Sequence, residues 1–73
     1  MEYVIIEFPT NRLVYIDGEK NGYTNEVLRV DEGTHVFDLG PLANYRPASR
    51  SVTVSDTTPL EPREIAFYRK EGE

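Results

Sequence analysis

Apolar and polar residues alternate along most of this chain with the period of an extended strand. In residues 2–8, Glu-Tyr-Val-Ile-Ile-Glu-Phe, the alternation sends Val4, Ile6 and Phe8 to one face. Pro9-Thr10-Asn11 then reads as a turn, and residues 13–17 as a second strand with Val14 and Ile16 inward. Asp17-Gly18-Glu19-Lys20-Asn21-Gly22 carries the strongest turn signal in the chain. A third strand spans 26–30, with Leu28 and Val30 inward, and Asp31-Glu32-Gly33 reverses the chain. Residues 34–39 run back with Phe37 and Leu39 on one face.

Residues 40–47 hold two prolines and a glycine, which places them in a loop or crossover. Residues 50–55 resume the pattern with Val52 and Val54 inward, 57–62 connect, and 63–69 supply Ile65 and Phe67. No stretch sustains a helical apolar rhythm. Six strands punctuated by turns about every ten residues predict an all-β fold, a small antiparallel β-sandwich of six to seven short strands. The expected core is Val4, Ile6, Phe8, Val14, Ile16, Leu28, Val30, Phe37, Leu39, Val52, Val54, Ile65 and Phe67.

Length and composition narrow the function. Seventy-three residues make one domain, 1–73, with a polar tail over 70–73. Leu, Ile, Val and Phe supply 19 of the 73 residues, enough for an ordered core. A net charge of −5 argues against nucleic acid and anionic lipid as partners. The chain has no cysteine, so disulfides, a thiol nucleophile and Cys-ligated zinc are excluded. No apolar run is long enough to span a bilayer, and no basic segment precedes the first apolar stretch. The chain as it stands is expected in the cytoplasm, or outside it if it is part of a larger envelope protein.

The ordered punctuation resembles the PEGA domain, a small bacterial and archaeal β-sandwich module. Val14-Tyr15-Ile16-Asp17-Gly18 matches that family's strand ending in Asp-Gly, and Gly22-Tyr23-Thr24 its Gly-x-Thr. Leu28-Arg29-Val30 precedes Gly33-Thr34-His35, where the family has a glycine followed two residues later by a histidine. Asn44-Tyr45 stands at its Gly-Tyr, ahead of Ser51-Val52-Thr53-Val54. The likeness runs from about residue 3 to 69. It departs at Pro9-Thr10-Asn11-Arg12, which keeps only the proline of the naming tetrapeptide, and at Asn25, where the family has proline. The resemblance implies a non-catalytic module of the kind found as a repeat or appendage in surface-layer, envelope and sensor proteins.

Candidate chemistry is sparse. Asp17, Glu19 and Asn21 followed by Gly22 approach a calcium-loop spacing, but Leu28 stands where the bidentate glutamate belongs. The simpler reading is a hairpin turn with its polar groups in water. His35, the only histidine, shares a face with Phe37 and Leu39 and is expected to pack there, one ring nitrogen capping the Gly33 turn. Ser49, Ser51 or Ser55 could complete a Ser–His–Asp set only on paper, since no nucleophile elbow is present. Acidic pairs such as Asp31–Glu32, Glu61–Glu64 and Glu71–Glu73 read as solvated charge; Arg46, Arg50 and Arg63 could form a small anion-binding patch, but are expected to pair with nearby acids.

Outward aromatic and apolar positions are the remaining signal. Tyr3 and Ile5 oppose the inward face of the first strand, as Tyr15 and Tyr68 do on theirs. Tyrosine suits exposed strands, and it is also favoured in interface cores. These four residues form the expected interaction face, for another protein, a neighbouring domain or weak self-association. The expectation is therefore a non-enzymatic interaction or structural module without cofactor or metal, binding another protein through this outer face or through an edge strand. The alternative is a carbohydrate- or ligand-binding sandwich using exposed tyrosines, Tyr15, Tyr23 or Tyr45.

Overall fold

In the computed structural model, which describes residues 1–42 and 44–70, the alternating segments form nine short strands and no helix. They are β1 (Glu2–Glu7), β2 (Leu13–Ile16), β3 (Glu19–Tyr23), β4 (Val27–Val30), β5 (Gly33–Asp38), β6 (Tyr45–Arg46), β7 (Arg50–Val54), β8 (Arg63–Ala66) and β9 (Tyr68–Arg69). One sheet has the order β4-β1-β8, a second β3-β2-β5-β7, and a two-stranded ribbon pairs β6 with β9. The two larger sheets make a small β-sandwich. The chain changes sheet between β1 and β2, and returns between β3 and β4. Of the tail expected over 70–73, Glu71, Gly72 and Glu73 lie outside the described residues.

Every residue of the expected core is buried, and one contiguous cluster holds them all. This follows from geometry. A strand of period two between two sheets can bury only alternate residues, so the apolar positions name the inner face. Tyr45 and the polar Thr24 are buried as well.

Three local expectations change. The six residues 17–22 are not one turn: Ile16 pairs with Glu19, leaving Asp17-Gly18 as a two-residue hairpin loop. Asp17 and Gly18 have φ of 54° and 84°, the positive pair of a type I′ turn, which Asp-Gly is suited to. Glu19–Tyr23 then forms β3, an edge strand whose polar residues face solvent. Its only half-buried position is Gly22, over which Leu28 packs so closely that a Cβ would lie 2.5 Å from Leu28 Cδ2.

The sandwich is also not wholly antiparallel, because β1 pairs in parallel with β8, Val4 opposite Arg63 through Glu7 opposite Ala66. Finally, the stretch 63–69 is divided. Phe67 N–H still bonds the Glu7 carbonyl at 2.9 Å, but Tyr68 and Arg69 leave β1 to pair with Arg46 and Tyr45. That pairing makes a short strand inside the loop expected over 40–47.

Candidate interaction surface and polar clasps

The outer face of the three-stranded sheet follows from its register. With Val4, Ile6, Leu28, Val30 and Ile65 inward, the outward positions are Tyr3, Ile5 and Glu7 on β1, Val27 and Arg29 on β4, and Glu64 and Ala66 on β8. Ile5 sits between Val27 and Glu64, Tyr3 lies beside Arg29, and Glu7 beside Ala66. Tyr68 extends this outward row beyond Ala66. Both line a shallow groove of about 410 Å³ with Glu7, Phe8 and Pro9. Val27 is 45% exposed and Tyr68 57%. Tyr3, Ile5 and Ala66 are half-buried.

The four expected face residues therefore divide. Tyr3, Ile5 and Tyr68 share one side of the molecule. Tyr15 lies on the outer face of the other sheet, paired with Asp38 and Lys20 and lying against Gly40, where a Cβ would come within 2.8 Å of its ring. Val27 and Ala66 join the first group. The strand alternation placed them outward, but only the sheet register shows which strands they neighbour.

Tyr45 is corrected from an exposed ligand-stacking residue to a buried one. Its hydroxyl donates to the Gly40 carbonyl at 2.8 Å and accepts the Leu39 N–H at 3.2 Å, and its ring meets Phe67 edge-on. An aromatic in a Pro- and Gly-rich loop reads as surface, yet here its hydroxyl takes up main-chain groups that the turn leaves without a ladder partner. Tyr23, by contrast, is 52% exposed at the end of β3.

Two polar clasps hold the turns, and the sequence points only to the His35 nitrogen on the Asp31–Gly33 turn, not to its bond with Asp17 or to the second clasp. In the first, His35 joins two turns. Nδ1 lies 2.6 Å from Asp17 Oδ2 and Nε2 2.7 Å from the Asp31 carbonyl oxygen. A carbonyl can only accept, so Nε2 carries a proton; a carboxylate also accepts, so the arrangement suits the doubly protonated imidazolium. The Asp17 hydrogen bond first, and then the Asp31 carbonyl, raise the His35 pKa above its ordinary 6.5. The bonds from His35 and from the Val36 N–H hold Asp17 below its usual 3.8. With Nε2 committed to Asp31, this ring is not free to act as a base on a serine. Ser51 also pairs with Val36, on the outward side of the sheet, opposite to the ring. Asp17 sits in the hairpin turn while Glu19 and Asn21 lie on the extended β3, so the calcium-type spacing does not curl into a loop. Among the described residues no three His, Asp or Glu side chains converge as metal ligands.

In the second clasp, Thr24 and Asn25 stitch the β1–β2 connection. Thr24 is fully buried; its hydroxyl donates to the Thr10 carbonyl and accepts the Arg12 N–H, both at 2.8 Å. Asn25, at φ 66°, uses its amide to pair with the Phe8 main chain on both sides. Arg12 in turn lies over the rings of Phe8 and Tyr45, at 5.6 and 5.2 Å, and donates to Asn44 and to the Leu39 and Leu42 carbonyls. At the amino end, Glu2 accepts from the Thr57 N–H and hydroxyl, bonds that hold its carboxyl below the ordinary 4.5.

Compared with models of known protein families, with curated proteins and with solved structures, the chain matches none. No helix of the described residues is long and apolar enough to cross a membrane.

Proposed function

We propose that this chain is a non-enzymatic interaction module that binds another protein through the outer face of its three-stranded sheet. One observation carries the reading: Val27, Ile5, Tyr3, Ala66 and Tyr68 present apolar and aromatic surface on one side of a sheet whose other side already fills the core. Burial in a sandwich uses one face per sheet, so this second face lies outside the core. Arg29 and Glu64 stand at its two edges, while Glu7 lies within its groove beside Ala66. We also read the chain as a divergent PEGA-type module. What supports this is the order of its motifs and the duties they have here: Asp17-Gly18 turns the hairpin, Thr24 is buried, and His35 bonds Asp17.

The test is affinity capture with wild type beside a Val27→Thr/Tyr68→Ala variant whose amide spectrum is unchanged. A protein retained by wild type and lost by the variant, then shown with purified partner to bind saturably, is the expected result. Equal retention by both proteins overturns the choice of face. Retention of glycan in place of protein supports the carbohydrate alternative.

A further inference from the structure

The chain is acidic overall, yet three of its eight Lys and Arg residues line one small concavity. Phe8, Thr10, Arg12, Asn44, Arg69 and Lys70 line it, about 210 Å³ in volume, and among the described residues no carboxylate does. Arg12 is half-buried, and the three groups it is seen to bond, Asn44 Oδ1 and the Leu39 and Leu42 carbonyls, are all neutral. Its charge is thus oriented by hydrogen bonds and aromatic rings, and among the described residues no carboxylate pairs with it. The only carboxylate ion pair among the described residues is that of Asp17 with His35, on a different set of turns.

The donors are also turned the right way. Asn44 Oδ1 accepts from Arg12 at 2.6 Å, which leaves the Asn44 amide NH₂ as the group available to a ligand. Arg69 and Lys70 are exposed, and their main chain is fixed: Arg69 pairs with Tyr45, and Lys70 N–H bonds the Asn44 carbonyl at 3.1 Å. The ribbon β6–β9 therefore holds two flexible cations beside one rigid guanidinium. Such a set, charge behind and neutral donors in front, favours an oxyanion with several acceptor atoms.

We propose that this concavity is a binding site for a phosphate group, carried as inorganic phosphate or on a small phosphomonoester. Arg12 supplies fixed positive charge at the floor, Arg69 and Lys70 close on the oxygens, and Asn44 and Thr10 donate to them. The concavity adjoins the groove of the interaction face, sharing Phe8 with it and holding Arg69 next to Tyr68, but the proposal does not rest on that face.

The experiment is an amide and arginine side-chain NMR titration of the full chain with inorganic phosphate and, separately, with free phosphoserine. Acetate and sodium chloride at matched ionic strength are the controls. Saturable shifts are expected at Thr10, Arg12, Asn44, Arg69 and Lys70 with phosphate, weakened at least about tenfold in Arg69→Gln/Lys70→Gln. Both substitutions are at exposed positions, so an unchanged spectrum away from the site shows that the variant is folded. Tighter binding of phosphoserine would assign the natural ligand to the phosphomonoesters, and tighter binding of inorganic phosphate to the free ion. Shifts reproduced by sodium chloride, shifts unaffected by the double variant, or tighter binding of acetate than phosphate would each overturn the proposal.

Discussion

His35 Nδ1 stands 2.6 Å from Asp17 Oδ2, so the only histidine of the chain bonds the turn between β2 and β3 while its other nitrogen holds the turn between β4 and β5. The bond crosses 18 residues of sequence and ties two hairpins at one end of the sandwich. Its worth depends on protonation, and the sign can be derived for each partner.

The His35 pKa is raised in the folded chain, so its contribution is fully present below about 6.5 and is lost as pH rises through the folded value. The Asp17 pKa is lowered, so its contribution is present above 3.8 and is lost as pH falls through the folded value. Glu2, lowered from 4.5 by its bonds to Thr57, acts in the same sense as Asp17. The clasp is therefore strongest between about pH 4 and 6.5. The side chains of His35 and Asp17 are 16% and 50% exposed, so solvent screening limits the pair to no more than about 1 kcal/mol. Urea unfolding from pH 5 to 9 should show stability falling on the alkaline side in the wild type and a flatter profile in His35→Gln. The Met1 amino terminus, Glu19, Arg29 and Asp31 also line this hollow, so the histidine's part is the difference between wild type and His35→Gln at each pH rather than the wild-type slope alone.

Thr24→Val tests the second clasp. Valine keeps the shape of threonine but leaves the Arg12 N–H and the Thr10 carbonyl without the partner they have now. An unpaired buried polar group costs about 1–3 kcal/mol, so Thr24→Val should destabilise by that amount while Thr24→Ser, which keeps the hydroxyl, loses less. Equal losses in the two variants, measured by urea midpoint, would show that the methyl group rather than the hydroxyl matters.

Gly22 and Gly18 make a controlled pair. Both have positive φ, 106° and 84°, but only Gly22 faces a neighbour, Leu28 Cδ2 at 2.5 Å from where a Cβ would stand. Gly18→Ala should cost the left-handed strain alone, about 1–2 kcal/mol. Gly22→Ala adds displacement of a core leucine at the border between β3 and β4, and should cost about 2–4 kcal/mol. Thermal unfolding of the two variants side by side gives the order directly; a smaller loss for Gly22→Ala would mean that Leu28 moves aside freely.

What was legible in the sequence was whatever alternation encodes. Val14 and Ile16, or Val52 and Val54, sit two apart because each strand has one buried face, and their burial followed without knowledge of any partner. β3 was not legible for the converse reason: as an edge strand it buries no apolar side chain of its own, so Glu19-Lys20-Asn21-Gly22 has the composition of a turn. The parallel pairing of β1 with β8 depends on which strands meet, and the residues of neither strand state it. The outward row was legible at Tyr3, Ile5 and Tyr68, whose parity is local. Tyr15 has the same outward parity on its own strand, and the sequence does not say which sheet a strand joins. Arg12, Thr24 and Tyr45 act through main-chain groups 5 to 30 residues away, and only the folded chain brings those together.

Phe37→Ala and Tyr68→Ala separate core from surface, and with them the proposed function from mere stability. Phe37 is fully buried beneath His35, whose ring meets it edge-on at 6.2 Å. Removing it leaves a cavity that the surrounding strands cannot close, at a cost of about 3–5 kcal/mol. That is a large share of the stability a chain of this size has, so the variant should be largely unfolded at moderate urea. Tyr68 is mostly exposed on a two-residue strand whose main-chain pairing survives truncation, and Tyr68→Ala should change stability by no more than about 0.5 kcal/mol. Partner binding lost in Tyr68→Ala at unchanged urea midpoint would then be a property of the face alone. Binding lost only in proportion to unfolding, across both variants, would show that association needs the intact sandwich but not that side chain.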